Sequence, residues 1–196
     1  MKMNAVTRNA GWGMGLLLLP ALAWAHVGPG HPGGLAQGLL HPLLGIDHLV
    51  AMVAVGLWAA QCGGRALWAL PLSFMAVMLL GGLIGMAGIA MPFIEPGIVA
   101  SVLVLGLLIA AAVRLPLVAS SALVGLFAVF HGHAHGAEMP ATASGLAYAI
   151  GFVLATGVLH CCGIGLGLFT KRLAGPRLAQ YAGVTIAAFG LYLGFA

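Results

Sequence analysis

QGLLHPLLGIDHLVAMVAVGLWAAQ, residues 37–61, is an apolar run of membrane-crossing length that carries Asp47 beside His48, with His41 six residues before. A helix needs about 20 mostly apolar residues to cross a hydrocarbon core of about 30 Å. An ionised carboxylate at the centre of such a helix costs about 2.5–3.5 kcal/mol on insertion scales. A chain with three acidic residues in total does not place one of them here without a partner. On an ideal helix His41 and His48 differ by only about 20° and share a face, whereas Asp47 points about a quarter turn or more away. Met52, one turn beyond His48, extends the histidine stripe. Pro42 and Gly45 are the residues able to reshape the backbone so that the carboxylate converges on the histidines, because proline and glycine in membrane helices mark unwound sites.

The rest of the chain agrees with lipid as its main solvent. Of 196 residues, 62% are hydrophobic and 5% charged, and mean hydropathy is +1.14. A soluble domain carries about 25% charged residues. Five further apolar runs follow the first, at about 66–91, 95–113, 115–134, 143–170 and 177–196. They show no period-two alternation, which excludes a barrel. Residues 1–25 combine Lys2 and Arg8 with a short apolar core and end in Ala23-Trp24-Ala25. This is the pattern of a signal peptide cut after Ala25, an uncleaved anchor being the alternative. The fold expected is all-α: a polytopic membrane helix bundle of six transmembrane helices after a cleaved signal peptide, with residues 26–196 as one domain.

Arg65, Arg114 and the group Lys171, Arg172 and Arg177 fall in alternate gaps; the other gaps hold Glu95 and the stretch HGHAHGAE. Cytoplasmic loops carry the excess of Lys and Arg, so both mature termini are expected outside. The same scatter argues against a nucleic-acid partner despite the net charge of +4. Three cysteines, two adjacent at 161 and 162, make no disulfide framework and are read first as packing residues. Gly81 with Gly85, and Gly190 with Gly194, have the spacing of close helix packing. No nucleotide-binding loop is present in the sequence, and assembly as a homo-oligomer is compatible with it.

Four groups can carry chemistry. Imidazole nitrogen and carboxylate oxygen at His41, Asp47 and His48 suit borderline divalent cations such as Ni²⁺, Co²⁺ and Zn²⁺. The competing reading is a buried polar network in which Asp47 orients a histidine. In His131-Gly-His133-Ala-His135-Gly-Ala-Glu138 a helix would put His131, His135 and Glu138 on one face and His133 on the other. Gly132 and Gly136 support the alternative of a solvated loop. His160, near Thr156 and before Cys161-Cys162, is either a metal contact or a hydrogen-bond donor between helices. Cleavage after Ala25 would leave His26 with a free amine beside its imidazole, a two-nitrogen chelate, with His31 nearby. Ordered by depth, these groups would form a path from the outer histidines through Asp47 and His48 to His160, as conduction requires.

At these residues the chain resembles the HupE/UreJ family of nickel and cobalt permeases. HPLLGIDHLVAMVAVGLWAA (41–60) resembles its first-helix motif, and FHGHAHGAEMP (130–140) and GFVLATGVLHCCGIGLG (151–167) its later blocks. The resemblance implies uptake of Ni²⁺ or Co²⁺ across the bacterial inner membrane, no prosthetic group, no enzymatic activity and a link to hydrogenase or urease maturation. It carries His41, Asp47 and His48 over as metal-site residues, followed by His131, His135, Glu138 and His160. Two rivals remain: an intramembrane zinc hydrolase using His41, His48, His160 and Asp47, and a metal sensor or chaperone that binds without transport.

Overall fold

The computed structural model describes residues 34–139, 144–173 and 175–196; the signal peptide expected over residues 1–25, His26 and His31 lie outside them. The described chain is entirely helical: α1 (Gly34–Leu44), α2 (Ile46–Cys62), α3 (Ala66–Met86), α4 (Ile94–Ala110), α5 (Leu117–Ala137), α6 (Gly145–Leu173) and α7 (Pro176–Leu193). Three of them, α3, α5 and α6, are each long and apolar enough to cross a membrane. The pair α1 and α2 passes the same test only when taken together, as a broken span or a re-entrant loop, and α4 is a shorter apolar helix.

The break between α1 and α2 falls at Gly45, where the two helices meet at 84°. Pro42 inside α1 lacks an N–H and cannot continue the backbone ladder. Gly45 then leaves the helical region, at φ −89° and ψ 110°. A side chain at 45 would stand 3.1 Å from both Asp47 Oδ1 and His48 Nδ1, so glycine leaves room for that pair. His41 and His48 therefore sit on different helices instead of sharing a continuous face.

Beyond the break, α2 is the centre of the bundle and touches α1, α3, α4, α6 and α7. From Ala51 to Ala60 all but one of its residues are buried, Met52 and Trp58 fully. Trp58 donates its indole N–H to the Val113 carbonyl at 2.9 Å. The core around α2 adds Leu70, Phe74, Leu105, Ile109 and Val124. Large apolar side chains such as Leu80, Leu83, Leu146, Val158 and Phe195 are turned outward, as lipid allows.

Small residues set the closest helix contacts. Gly81 and Gly85 of α3 face the backbone of Val129 and His133, while Gly132 and Gly136 of α5 face Met78 and Gly82. The residue numbers rise together along this seam, so α3 and α5 run in the same direction. Gly56 and Gly163 join α2 and α6, also in the same direction. Gly106, Gly183 and Gly190 join α4 and α7 head to tail. Of the second glycine pair expected to pack, Gly190 lies on the Leu103 backbone, whereas a methyl added at Gly194 would come no nearer than 3.7 Å to Val99.

Arg65 and Arg114 line one cavity of about 370 Å³, where α2 and α4 end and α3 and α5 begin. Lys171 and Arg172 end α6, which runs alongside α2. The acidic groups lie at helix ends of the opposite sense: Asp47 and Glu95 in first turns of α2 and α4, Glu138 capping the end of α5. The bundle thus has a basic end and a histidine end.

Candidate metal centre

The break at Gly45 exposes the first turn of α2, and Asp47 occupies it. Carboxylates are favoured at helix N-termini because unpaired N–H groups and the helix dipole point there. Asp47 Oδ1 accepts from the His48 backbone N–H at 2.9 Å and from its Nδ1 at 2.8 Å. The convergence expected from Pro42 and Gly45 is thus made between Asp47 and the adjacent His48. With Nδ1 donating to the carboxylate, His48 keeps its lone pair on Nε2, which is buried and has no hydrogen-bond partner.

The HGHAHG stretch is helical and buried, not a solvated loop: α5 continues through it to Ala137. Its glycines are packing residues. Gly132 and Gly136 seat α5 on α3, and His131 and His135, each one residue earlier, are directed towards α1 and α2. His133 faces another way, its Nε2–H donating to the Ile89 carbonyl at 2.7 Å.

The rings of four histidines then touch in series. His41 lies 4.7 Å from His135, His135 4.2 Å from His48, and His48 5.0 Å from His131, centroid to centroid. At one end His41 Nε2 is 3.2 Å from Glu138 Oε2. Glu138 lies beyond the last turn of α5, and the bond from His41 holds its carboxyl below the usual range, in the ionised form. One donor atom each from His41, His135 and Glu138 lies within 4.8 Å of the others. Bonds of about 2.1 Å hold opposite donors at most about 4.2 Å apart, so small shifts would close this set on one ion.

At the other end of the series, Phe74 stands between His131 and His160, its ring 5.6 Å and 5.2 Å from theirs. Both His160 nitrogens are buried, and the ring makes no hydrogen bond among the described residues. A role as donor between helices is therefore not seen. Cys161 and Cys162 are exposed, on faces of α6 away from buried His160. Beside the series, His135, Tyr148 and Phe152 help line an apolar cavity of about 430 Å³ between α3, α5 and α6.

Two neighbours of the histidines were not expected. Ser101 of α4 lies 3.0 Å from His131 Nε2, and the Tyr148 ring packs edgewise on His41 at 5.7 Å. Ser101 is the only hydroxyl in α4 (94–110), which was the available signal. Buried imidazole nitrogens without partners recur along the series, at His48, His131, His135 and His160. Buried polar atoms are nearly always paired, so these nitrogens are ones that a ligand or water could still engage.

Fold and site together define a multi-pass helical membrane protein with a chain of histidines between its helices. A sequence profile described as HupE / UreJ protein matches residues 14–193. Protein HupE of Rhizobium leguminosarum bv. viciae is 43% identical over 193 residues, covering 98% of each chain. The chain belongs to the HupE/UreJ family. No solved structure matches it.

Proposed function

We propose that this protein is a permease for Ni²⁺, with Co²⁺ as a second substrate, in the bacterial inner membrane. The observation that carries the reading is the unbroken contact of His41, His135, His48 and His131, with Glu138 at one end and Asp47 at its middle. A single binding site needs one donor set; transport needs neighbouring sites, each weak enough to be left. His135 is in contact with both His41 and His48 and has two unpartnered nitrogens, which suits it to transfer between an outer and an inner set.

The topology in this reading is six spans, α1 and α2 together forming the first. Same-direction pairing of α3 with α5, and of α2 with α6, fits alternate threading, as does head-to-tail pairing of α4 with α7. The basic end is cytoplasmic by the distribution of Lys and Arg. A signal peptide cut after Ala25 then leaves the N-terminus and His26 outside, in reach of incoming metal. The cation meets Glu138, His41 and His135 first, passes to His48 beside Asp47 and to His131, and leaves past His160. Two charges falling through 100 mV gain about 4.6 kcal/mol, roughly a thousandfold gradient without ATP. Imidazole and carboxylate donors suit Ni²⁺ and Co²⁺, and the link to hydrogenase or urease maturation follows from that cargo.

The zinc hydrolase reading needs His41, His48 and His160 on one ion. Phe74 and His131 lie between His160 and the others, which favours transport. The test is radioactive nickel uptake into proteoliposomes with an inside-negative potential. Potential-dependent accumulation, reduced by Co²⁺ in excess, is the expected result. Binding without accumulation would instead identify a sensor or chaperone.

A further inference from the structure

We propose that Ser101 is a positioning residue for His131: it fixes the ring as the Nε2–H tautomer and reserves Nδ1 for the passing cation. The role assigned to Nδ1 rests on the permease reading; the tautomer itself does not. Ser101 is fully buried in α4, with Oγ 2.6 Å from the Ile98 carbonyl oxygen and 3.0 Å from His131 Nε2. A hydroxyl has one hydrogen to donate. The carbonyl can only accept, so that hydrogen is committed to Ile98, and towards His131 the hydroxyl can only accept. Nε2 must therefore carry the proton.

The ring as a whole is neutral. A doubly protonated His131 would bury a charge and leave Nδ1–H without an acceptor, since Nδ1 is buried and unpartnered. The lone pair accordingly lies on Nδ1. At His48 the arrangement is reversed, because Asp47 holds Nδ1–H and leaves Nε2 free. Two rings 5.0 Å apart are thus locked in opposite tautomers by different partners on different helices. A ligating imidazole must present an unprotonated nitrogen. A His131 free to exchange tautomers would present Nδ1 only part of the time. Loss of such an orienting partner lowers metal affinity about 10- to 100-fold.

Ser101→Ala removes one buried oxygen and leaves the helix intact. Ser101→Thr keeps the hydroxyl, and threonine in a helix makes the same bond back to a carbonyl three or four residues earlier. The tautomer is read on metal-free protein in lipid by ¹⁵N NMR of ring-labelled histidine, with His131 assigned by its loss in His131→Asn. Nickel uptake is measured on the same preparations.

The wild type should show His131 solely as Nε2–H. Ser101→Ala should give mixed tautomers and a KM for Ni²⁺ at least about tenfold higher, with the maximal rate largely kept. Ser101→Thr should restore both. An Nδ1–H signal in the wild type, or a Ser101→Ala protein with unchanged spectrum and KM, overturns the proposal. If the wild type itself moves no Ni²⁺, the permease reading fails, and the spectrum alone still decides what Ser101 does to His131.

Discussion

Replacing Gly132 by alanine isolates the connection between helix packing and the histidine series. The added methyl would stand 2.8 Å from the Met78 carbonyl carbon and 2.9 Å from Gly82 N, and closer still to the Met78 oxygen. Ordinary contact begins near 3.4 Å, so α3 and α5 must part by at least about 0.6 Å at this level. The obstructing atoms are backbone, so no side chain can turn aside. Overpacking of this kind costs about 1–3 kcal/mol. Alanine recovers at most about 1 kcal/mol through its helix propensity. With that recovery in full, a net destabilisation of up to about 2 kcal/mol is expected. His131 and His135 ride on the displaced helix, and a site of this kind tolerates only about 0.5 Å of misplacement. Nickel uptake should therefore fall much further than the amount of folded protein. Gly125→Ala, on the same helix, meets only a Val77 methyl at 3.5 Å and is the matched control. Thermal unfolding in detergent and uptake in proteoliposomes measure the two effects. Equal stability and uptake for the two variants would refute the close-packing argument.

Other substitutions test separate parts of the account. His41→Gln and Glu138→Gln should each raise the KM for nickel, and the double variant should lose less than the product of the two, because the groups share one bond; a double-mutant cycle of uptake rates checks this. Cys161→Ala with Cys162→Ala should leave uptake unchanged, both side chains being exposed and turned away from His160; loss of transport would bring a thiol into the path. In a cysteine-free background, a single cysteine at position 64 should label from the cytoplasm and one at position 90 from outside, using impermeant maleimides on oriented vesicles. Trp58→Phe should cost about 1 kcal/mol in thermal stability through the lost bond to Val113.

The helix positions were legible because lipid imposes a composition on whatever crosses it. The six apolar runs coincide with the helices to within a few residues, the first divided in two. Pro42 and Gly45 marked the division, but the 84° angle depends on α1 packing against α6, which no local pattern encodes. That angle also put His41 and His48 on separate helices, where an ideal continuous helix would have stacked them. Gly132 and Gly136 were ambiguous for a related reason: glycine favours loops, and it equally favours helices pressed backbone to backbone. Only the glycines facing them in α3 resolve the choice. His133 was correctly separated from His131 and His135 by helical period alone. Ser101 was invisible as a histidine partner because α4 and α5 meet through tertiary contact.

The most direct test of the central claim is nickel flux through Asp47→Asn. The amide keeps the shape of the carboxylate but removes the charge beside His48. Its nitrogen can also donate to His48 Nδ1, which would put the ring proton on Nε2 and remove the free lone pair there. The variant should insert and unfold like the wild type yet accumulate no radioactive nickel in proteoliposomes under an inside-negative potential. Accumulation at the wild-type rate would contradict that claim.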